Sequence, residues 1–328
     1  MSRYQELKMI TSPLRRKSFG CAVAWMLVMA FVLATPTLRA GDPDKPSKKS
    51  PDIYDRNADG NRQIDKAVAK AARDNKRVLL MFGANWCVWC HRLHEVFENN
   101  REIARALLYE YELVLIDLDR LEDGRTHNED VDARYGNPRK LGLPALVVLD
   151  GAGKQLTTQE TGALEEGDHH DPAKVLGFLN KWKANPLKAR DVLDGAVARA
   201  AKENKLVFAH FSAPWCGWCR KMDDYLETPE IASIIGSAFV PVKIDIDRME
   251  GGKLLDHSFR EEGGGIPFFI ILDADGKKIA DGNSAKGNVG FPVEPHEVEH
   301  FLTVMRETKR FSEADVKILA SGLAAKKK

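Results

Sequence analysis

At 328 residues the chain has room for two domains of ~150 residues, each able to bury its own core. A hydrophobic content of 44% beside 30% charged residues excludes a fibrous or wholly disordered chain. The formal net charge is +1, but six Lys/Arg and one Glu fall in the first 40 residues, so the remainder holds 43 basic against 47 acidic side chains and carries no footprint for nucleic acid.

Those first 40 residues contain a basic region at Arg15, Arg16 and Lys17, an apolar run from Phe19 to Ala34, and a break at Pro36 before Arg39 and Ala40. This is the layout of a secretory signal peptide cut after Ala40. As a helix the run spans only ~24 Å against ~30 Å of hydrocarbon, which ranks an uncleaved membrane anchor second. On either reading the body of the chain is extracytoplasmic, periplasmic or secreted. Gly41 to Asp52 is polar with three prolines, and reads as a flexible spacer.

Asp55, Asn57, Asp59 and Gly60 imitate the start of a calcium loop, but Lys66 stands where a bidentate Glu is needed, and a turn before a helix is the expectation. From Ile64 the pattern IDKAVAKAARDNK reads as an alanine-rich amphipathic helix. An apolar strand follows and runs through Asn85 and Trp86 into Cys87-Val88-Trp89-Cys90, which opens another helix. A second apolar strand, LVLIDLDR, ends in an acidic pair, and a third begins at Gly142-Leu143-Pro144 before a tight turn at Gly151 to Lys154. A helix from Pro172 to Lys183 closes the unit, and the boundary falls near Ala184-Asn185-Pro186. The plan then repeats. Asp65, Ala67, Val68, Ala71, Asn75, Lys76, Val78, Phe82, Ala84, Trp86, Cys87, Trp89 and Cys90 all recur 129 positions later, giving Trp215-Cys216-Gly217-Trp218-Cys219. Val240 to Arg248 repeats the acidic strand, Gly265-Ile266-Pro267 opens the third, and Pro295 to Lys309 closes the copy. Ser312 and Asp315 then form a capping box for an extra C-terminal helix. The expected domains are 1–40 leader, 41–52 spacer, 53–184 first copy and 185–328 second copy.

Of five cysteines, Cys21 belongs to the leader and the other four form the two Cys-x-x-Cys pairs. No cysteine is left for a structural disulfide framework, which points to redox-active pairs. A helix N-terminus lowers the pKa of the leading sulfur, whose exposed thiolate attacks a substrate disulfide; the second sulfur resolves the mixed disulfide. Cys87 and Cys216 are the expected nucleophiles, Cys90 and Cys219 the resolving thiols.

The strand-delivered WCxxC, its helix and the Gly-x-Pro strand make each copy resemble the thioredoxin-like superfamily, especially exported thioredoxin-like proteins and the reducing domains of membrane thiol:disulfide interchange proteins. The resemblance implies an α/β fold of two tandem thioredoxin-like domains, each a central mixed sheet flanked by helices. It implies cis bonds at Pro144 and Pro267, and substrate contacts at Trp86, Leu143 and Pro144 and at Trp215, Ile266 and Pro267. The implied activity is protein-disulfide oxidoreduction without a cofactor beyond the cysteine pairs. The implied partners are protein thiols and disulfides, with an electron donor that can be membrane-bound. The copies depart from thioredoxins in two places. Trp89 and Trp218 replace the proline between the cysteines, so the direction of exchange stays open between reductase, isomerase and oxidase. Met81 and His210 replace the buried acid on the preceding strand, and His210, set among Val207, Phe208, Ala209 and Phe211, is a candidate base for Cys219.

Other patterns have blander readings. Cys87 to His91 matches a haem-attachment motif, yet the second copy has Arg220 in place of the His. His296-Glu297-Val298-Glu299-His300 matches a zinc-protease motif but opens a closing helix, where a solvated face is expected, and no metal site is expected. His169-His170 reads as a surface loop, and His94, one turn past Cys90, as a residue that at most tunes the first thiolate. The alternative to an oxidoreductase is a thioredoxin-like module that binds extended segments without turnover.

Overall fold

The computed structural model describes residues 51–260 and 264–326; the expected leader and nearly all of the spacer lie outside them. The first copy runs α1 (Gly60–Asp74), β1 (Arg77–Gly83), α2 (Val88–Asn99), α3 (Arg101–Glu110), β2 (Tyr111–Asp117), α4 (Glu129–Arg134), β3 (Ala145–Leu149), β4 (Gln155–Glu160), the short strands β5 (Glu165–Glu166) and β6 (His169–His170), and α5 (Pro172–Trp182). The second runs α6 (Ala189–Glu203), β7 (Leu206–Ser212), α7 (Gly217–Leu226), α8 (Pro229–Ala238), β8 (Phe239–Asp245), α9 (Gly252–Phe259), β9 (Phe268–Leu272), β10 (Lys278–Asp281), β11 (Asn283–Ser284), β12 (Gly287–Asn288), α10 (Pro295–Glu307) and α11 (Glu313–Lys326).

Each copy builds a four-stranded mixed sheet, ordered β2-β1-β3-β4 and β8-β7-β9-β10. The first pair of each is parallel and the rest antiparallel. β7 is buried along its whole length and β1 from Val78 onward, because helices cover both faces, and this is why both read as unbroken apolar runs. Alternation along them sorts the side chains. Leu79 and Met81 face the cluster that holds Cys87, Cys90 and Leu93, while Val78, Leu80 and Phe82 face the side of α1. In the second copy Phe208 joins Met222, Tyr225, Phe239, Phe269 and Phe301. Each such buried aromatic contributes roughly 1.5–3 kcal/mol relative to exposure.

Local signals set the ends. Asp59 accepts from the Arg62 amide and caps α1, so the calcium-like stretch is the turn before a helix that its failed twelfth position implied. Asn75 and Asn204 end α1 and α6 at φ 49° and 53°, the left-handed conformation that Asn tolerates better than most side chains. Where one helix was expected after each dithiol there are two. Asn100 breaks the first run by accepting from the Glu102 and Ile103 amides, and Pro229 breaks the second. Ser312 and Asp315 make the expected capping box on α11. Val316, Leu319 and Leu323 of that helix then bury against the second core, and Tyr225 donates to the Leu319 carbonyl at 3.1 Å.

Residues 51–260 and 264–326 belong to one compact unit. Its two copies meet where Arg248 reaches the end of α1, donating to the Asp74 carbonyl and, at 2.9 Å, to that of Asn75, while pairing with Glu110 at 3.1 Å. These carbonyls are the ones a helix terminus leaves unpaired, so a guanidinium from the second copy caps a helix of the first.

Candidate active sites

β1 and β7 each end in a short loop that lowers a cysteine onto the first position of a helix. Cys87 and Cys216 are the N-caps of α2 and α7, and their sulfurs accept from the Cys90 and Cys219 amides at 3.1 and 3.0 Å. The sulfur therefore stands where the helix dipole is positive, the placement that favours a thiolate. Both pairs are disulfides, with sulfurs 2.20 and 2.06 Å apart and α-carbons 5.2 Å apart in each. The leading cysteines are 5% and 4% exposed, the resolving ones 0% and 1%. An openly exposed leading sulfur was the expectation; in the disulfide form it is nearly covered, though still the more accessible of its pair.

The Gly-x-Pro segments lie where the resemblance put them. Both Leu143–Pro144 and Ile266–Pro267 bonds are cis, the Cys216 sulfur is 3.5 Å from the Ile266 carbonyl, and Leu143 packs against the cluster holding Cys87 and Cys90. Trp86 and Trp215 are 66% and 56% exposed beside these loops, so each site has an apolar rim. Their indole nitrogens donate to Asp119 at 3.1 Å and Asp247 at 2.8 Å. These aspartates belong to the acidic pair after the second strand, whose role in fixing the rim tryptophans was not read from the sequence. Arg56 pairs with Asp119, whereas Asp247 accepts from Lys253 and from Tyr109 of the first copy.

Beneath the dithiols the copies diverge. Strand register sets Met81 opposite Leu115 in the first and His210 opposite Lys243 in the second. His210 is 5% exposed, and it is satisfied by a carboxylate rather than a backbone carbonyl: its Nε2 is 2.9 Å from Asp223, one helical turn past Cys219 on α7. Asp223 also accepts from Lys243 at 2.6 Å, and Lys243 reaches Asp74 of the first copy at 3.0 Å. Burial alone would raise the Asp223 carboxyl, but His210 and Lys243 outweigh it and hold it at about 2. Since an ionised carboxylate only accepts, Nε2 carries the hydrogen, and in the neutral ring Nδ1 keeps its lone pair. Nδ1 is buried with no hydrogen-bond partner among the described residues.

The tryptophans between the cysteines rest on the segments between the sheet and the closing helix of each copy. Trp218 stacks on Phe291 with centroids 6.4 Å apart, and Trp89 meets the edge of His170 at 5.4 Å. His170 thus departs from the surface-loop reading: only His169 is exposed, and His170 is fully buried on β6 under Trp89. Burial, with the charges of Arg92 and His169, pulls its pKa down to about 4. His94 is directed at Glu98, 3.6 Å away. His91 holds the Asn85 carbonyl at 2.8 Å, and Glu297 of the zinc-like motif is committed to the Val293 and Glu294 amides. Among the described residues no cluster of three or more His, Cys, Asp or Glu could hold a metal ion.

A family model described as Thioredoxin-like matches residues 59–151 and 188–274, one match to each copy and more than half of the chain. Among curated proteins the chain is 26% identical to protein disulfide-isomerase erp38 of Neurospora crassa over 55% of this chain and 47% of that one. It is 23% identical to protein disulfide-isomerase 1 of Dictyostelium discoideum over 71% and 56%. The chain thus spans about half the length of the curated relatives it matches. Among solved structures, a disulphide isomerase from Xylella fastidiosa Temecula1 is 32% identical over 39% of this chain and 95% of that one, with a TM-score of 0.35. Two matches to one family model, falling on two copies that each carry a capped Cys-x-x-Cys beside a cis proline, place the chain in the thioredoxin-like family as a tandem member.

Proposed function

We propose that the protein is an exported thiol:disulfide oxidoreductase that works on protein disulfides at both dithiols, using no cofactor beyond its cysteines. The observation that carries this is the pairing, in each copy, of a helix-capping disulfide with an adjacent cis Gly-x-Pro segment and an apolar rim. In the reducing direction the leading thiolate attacks one sulfur of a substrate disulfide and releases the other as a thiolate, which takes up a proton. The resolving cysteine then loses its proton and attacks the leading sulfur, closing the protein disulfide and releasing the second substrate thiolate. Two electrons pass to the substrate, and a thiol donor, soluble or membrane-bound, returns them. The backbone at Leu143 and Ile266 is the docking edge for the substrate chain, with the exposed Trp86 and Trp215, each next to a leading cysteine, as further apolar contacts. Export rests on the leader, a basic region followed by an apolar run and a break before Ala40.

Turnover of insulin with dithiothreitol as electron source, followed as turbidity, is the test. Catalysed precipitation is expected; no acceleration over dithiothreitol alone would leave a binding module. Recovery of a mature chain starting at Gly41 outside the cytoplasm would support export, and retention inside would overturn it.

His210 is proposed as the base for Cys219, with Asp223 holding its ring as the third member of a catalytic triad does. In the full chain with Cys87→Ser and Cys90→Ser, His210→Gln should slow resolution of the Cys216 mixed disulfide about 10- to 100-fold and change its pH dependence. An unchanged pH–rate profile would leave His210 a structural residue.

A further inference from the structure

We propose that Tyr54 belongs to the first active site, where its phenol donates a hydrogen bond to the Cys90 sulfur once the disulfide is opened. The proposal deepens the exchange reading above at one of its two sites and rests on it.

Tyr54 precedes α1, far from the dithiol in sequence, yet its ring lies in the cluster that contains Cys87, Cys90, Leu93 and Met81. It is 2% exposed, and its hydroxyl has no hydrogen-bond partner among the described residues. A buried hydroxyl left without a partner is costly, so its persistence calls for a reason. Gly83 shows what the hydroxyl faces. A Cβ on that residue would stand 2.1 Å from the Tyr54 oxygen and 2.6 Å from the Cys90 sulfur, so the two atoms are neighbours in the space that glycine leaves open. Any other side chain at 83 would drive them apart.

The active-site loop itself holds Tyr54 there. Asn85, two residues before Cys87, accepts from the Ile53 and Tyr54 amides at 2.9 Å each and donates to the Tyr54 carbonyl at 3.0 Å. In the second copy the corresponding positions are Ser212 for Gly83 and Pro214 for Asn85, and the position 129 residues after Tyr54 is Lys183, which ends the first copy and leaves the second without a counterpart. Not one of the three parts is repeated. The first site also lacks the buried base of the second, having Met81 in place of His210.

The missing acceptor appears on reduction. A disulfide sulfur is a poor acceptor, the free Cys90 sulfur of the reduced form a better one, and the Cys90 thiolate that forms during resolution a charged one, to which hydrogen bonds are the stronger kind. Cys90 gives its proton to solvent and attacks the Cys87 sulfur. The Cys87–Cys90 bond forms as the Cys87–substrate bond breaks, and the departing thiolate is protonated. The phenol keeps its own proton throughout, because burial and then the Asp117 charge push its ionisation far above the usual range. Its part is to stabilise charge on the resolving sulfur.

The test is a glutathione equilibrium of the first dithiol in the full chain carrying Cys216→Ser and Cys219→Ser, read by alkylating free thiols and weighing the products. Tyr54→Phe should lower the equilibrium constant for reduction about tenfold, equivalent to a potential ~30 mV more negative, since the reduced form loses a hydrogen bond and the oxidised form loses an unpartnered hydroxyl. Resolution of a mixed disulfide at Cys87 should slow as well. Asn85→Ala, which undocks the same residue, should shift the constant in the same direction. In the chain carrying Cys87→Ser and Cys90→Ser instead, Tyr54→Phe should leave the second dithiol unchanged. A shift of less than twofold in both variants, or an equal shift at both dithiols, overturns the proposal. The equilibrium is read whether or not the protein turns over insulin, so failure here is distinct from failure of the oxidoreductase reading.

Discussion

Cys216→Ser is expected to abolish exchange at the second dithiol while the first continues, and Cys87→Ser to do the reverse. Each change replaces a sulfur that a helix N-terminus helps to ionise with a hydroxyl that does not ionise near neutral pH, and loss of a nucleophile costs on the order of 10³-fold or more. The independence of the two effects follows from where the parts lie. Cys87, Cys90, the Leu143–Pro144 bond and Trp86 all come from the first copy, and their counterparts all come from the second. Insulin reduction by the two single variants should therefore persist at a reduced rate in each and vanish in the double variant. Complete loss from either single change would mean that electrons must pass through both dithiols in series. Cys90→Ser and Cys219→Ser should each let a mixed disulfide build up at its own leading sulfur, which mass spectrometry of the unreduced protein would detect.

The parts that the two copies share were legible in the sequence, and the parts peculiar to one copy were not. Repetition at a fixed offset exposes what recurs: the N-capping cysteines, the buried first strand, the Gly-x-Pro and the asparagine that ends α1 and α6. It treats positions that differ as noise, and those positions hold the chemistry that separates the sites. Gly83 against Ser212, Asn85 against Pro214 and Met81 against His210 are all of this kind. Of these only Met81 and His210 stand out in the sequence, because they occupy the strand position where the resemblance implies a buried acid. The carboxylate partner of His210 does not, since Asp223 looks like any polar residue on a solvated helix until the strand and helix are packed together. Tyr54 and Asn85 are joined by hydrogen bonds across more than 30 residues, and Asp119 and Trp86 likewise. No local periodicity records such pairs. The hairpins β5–β6 and β11–β12 escaped for another reason: strands of two residues are too short to show alternation, so His169 and His170 look equivalent although one is in solvent and the other in the core.

That buried imidazole should make the first copy acid-labile. In the unfolded chain His170 titrates near its ordinary value of ~6.5, whereas in the fold burial, Arg92 and His169 hold it at about 4. Glu165, 3.9 Å from Nε2, is too distant to supply a hydrogen bond, and neither ring nitrogen has a partner among the described residues. Between these two values the unfolded chain binds a proton that the folded one refuses. The stability contribution is therefore complete above pH ~6.5 and is lost as pH falls toward 4, by up to about 3 kcal/mol. Carboxylates do not mimic this. Asp223, held down to about 2, costs stability only once the pH falls below its unfolded value, and Asp117 and Asp245, raised by burial, shift the balance the other way on acidification. His170→Phe sets against Trp89 the same ring that Phe291 sets against Trp218. It removes two buried unpartnered nitrogens, so it should raise stability at pH 7 by about 1–2 kcal/mol. It should also flatten the loss between pH 6.5 and 4, so that the gap between variant and parent widens as the solution is acidified. Urea unfolding at pH 7, 6 and 5 measures both. Parallel losses in the two proteins would show that the proton taken up on unfolding belongs to another group.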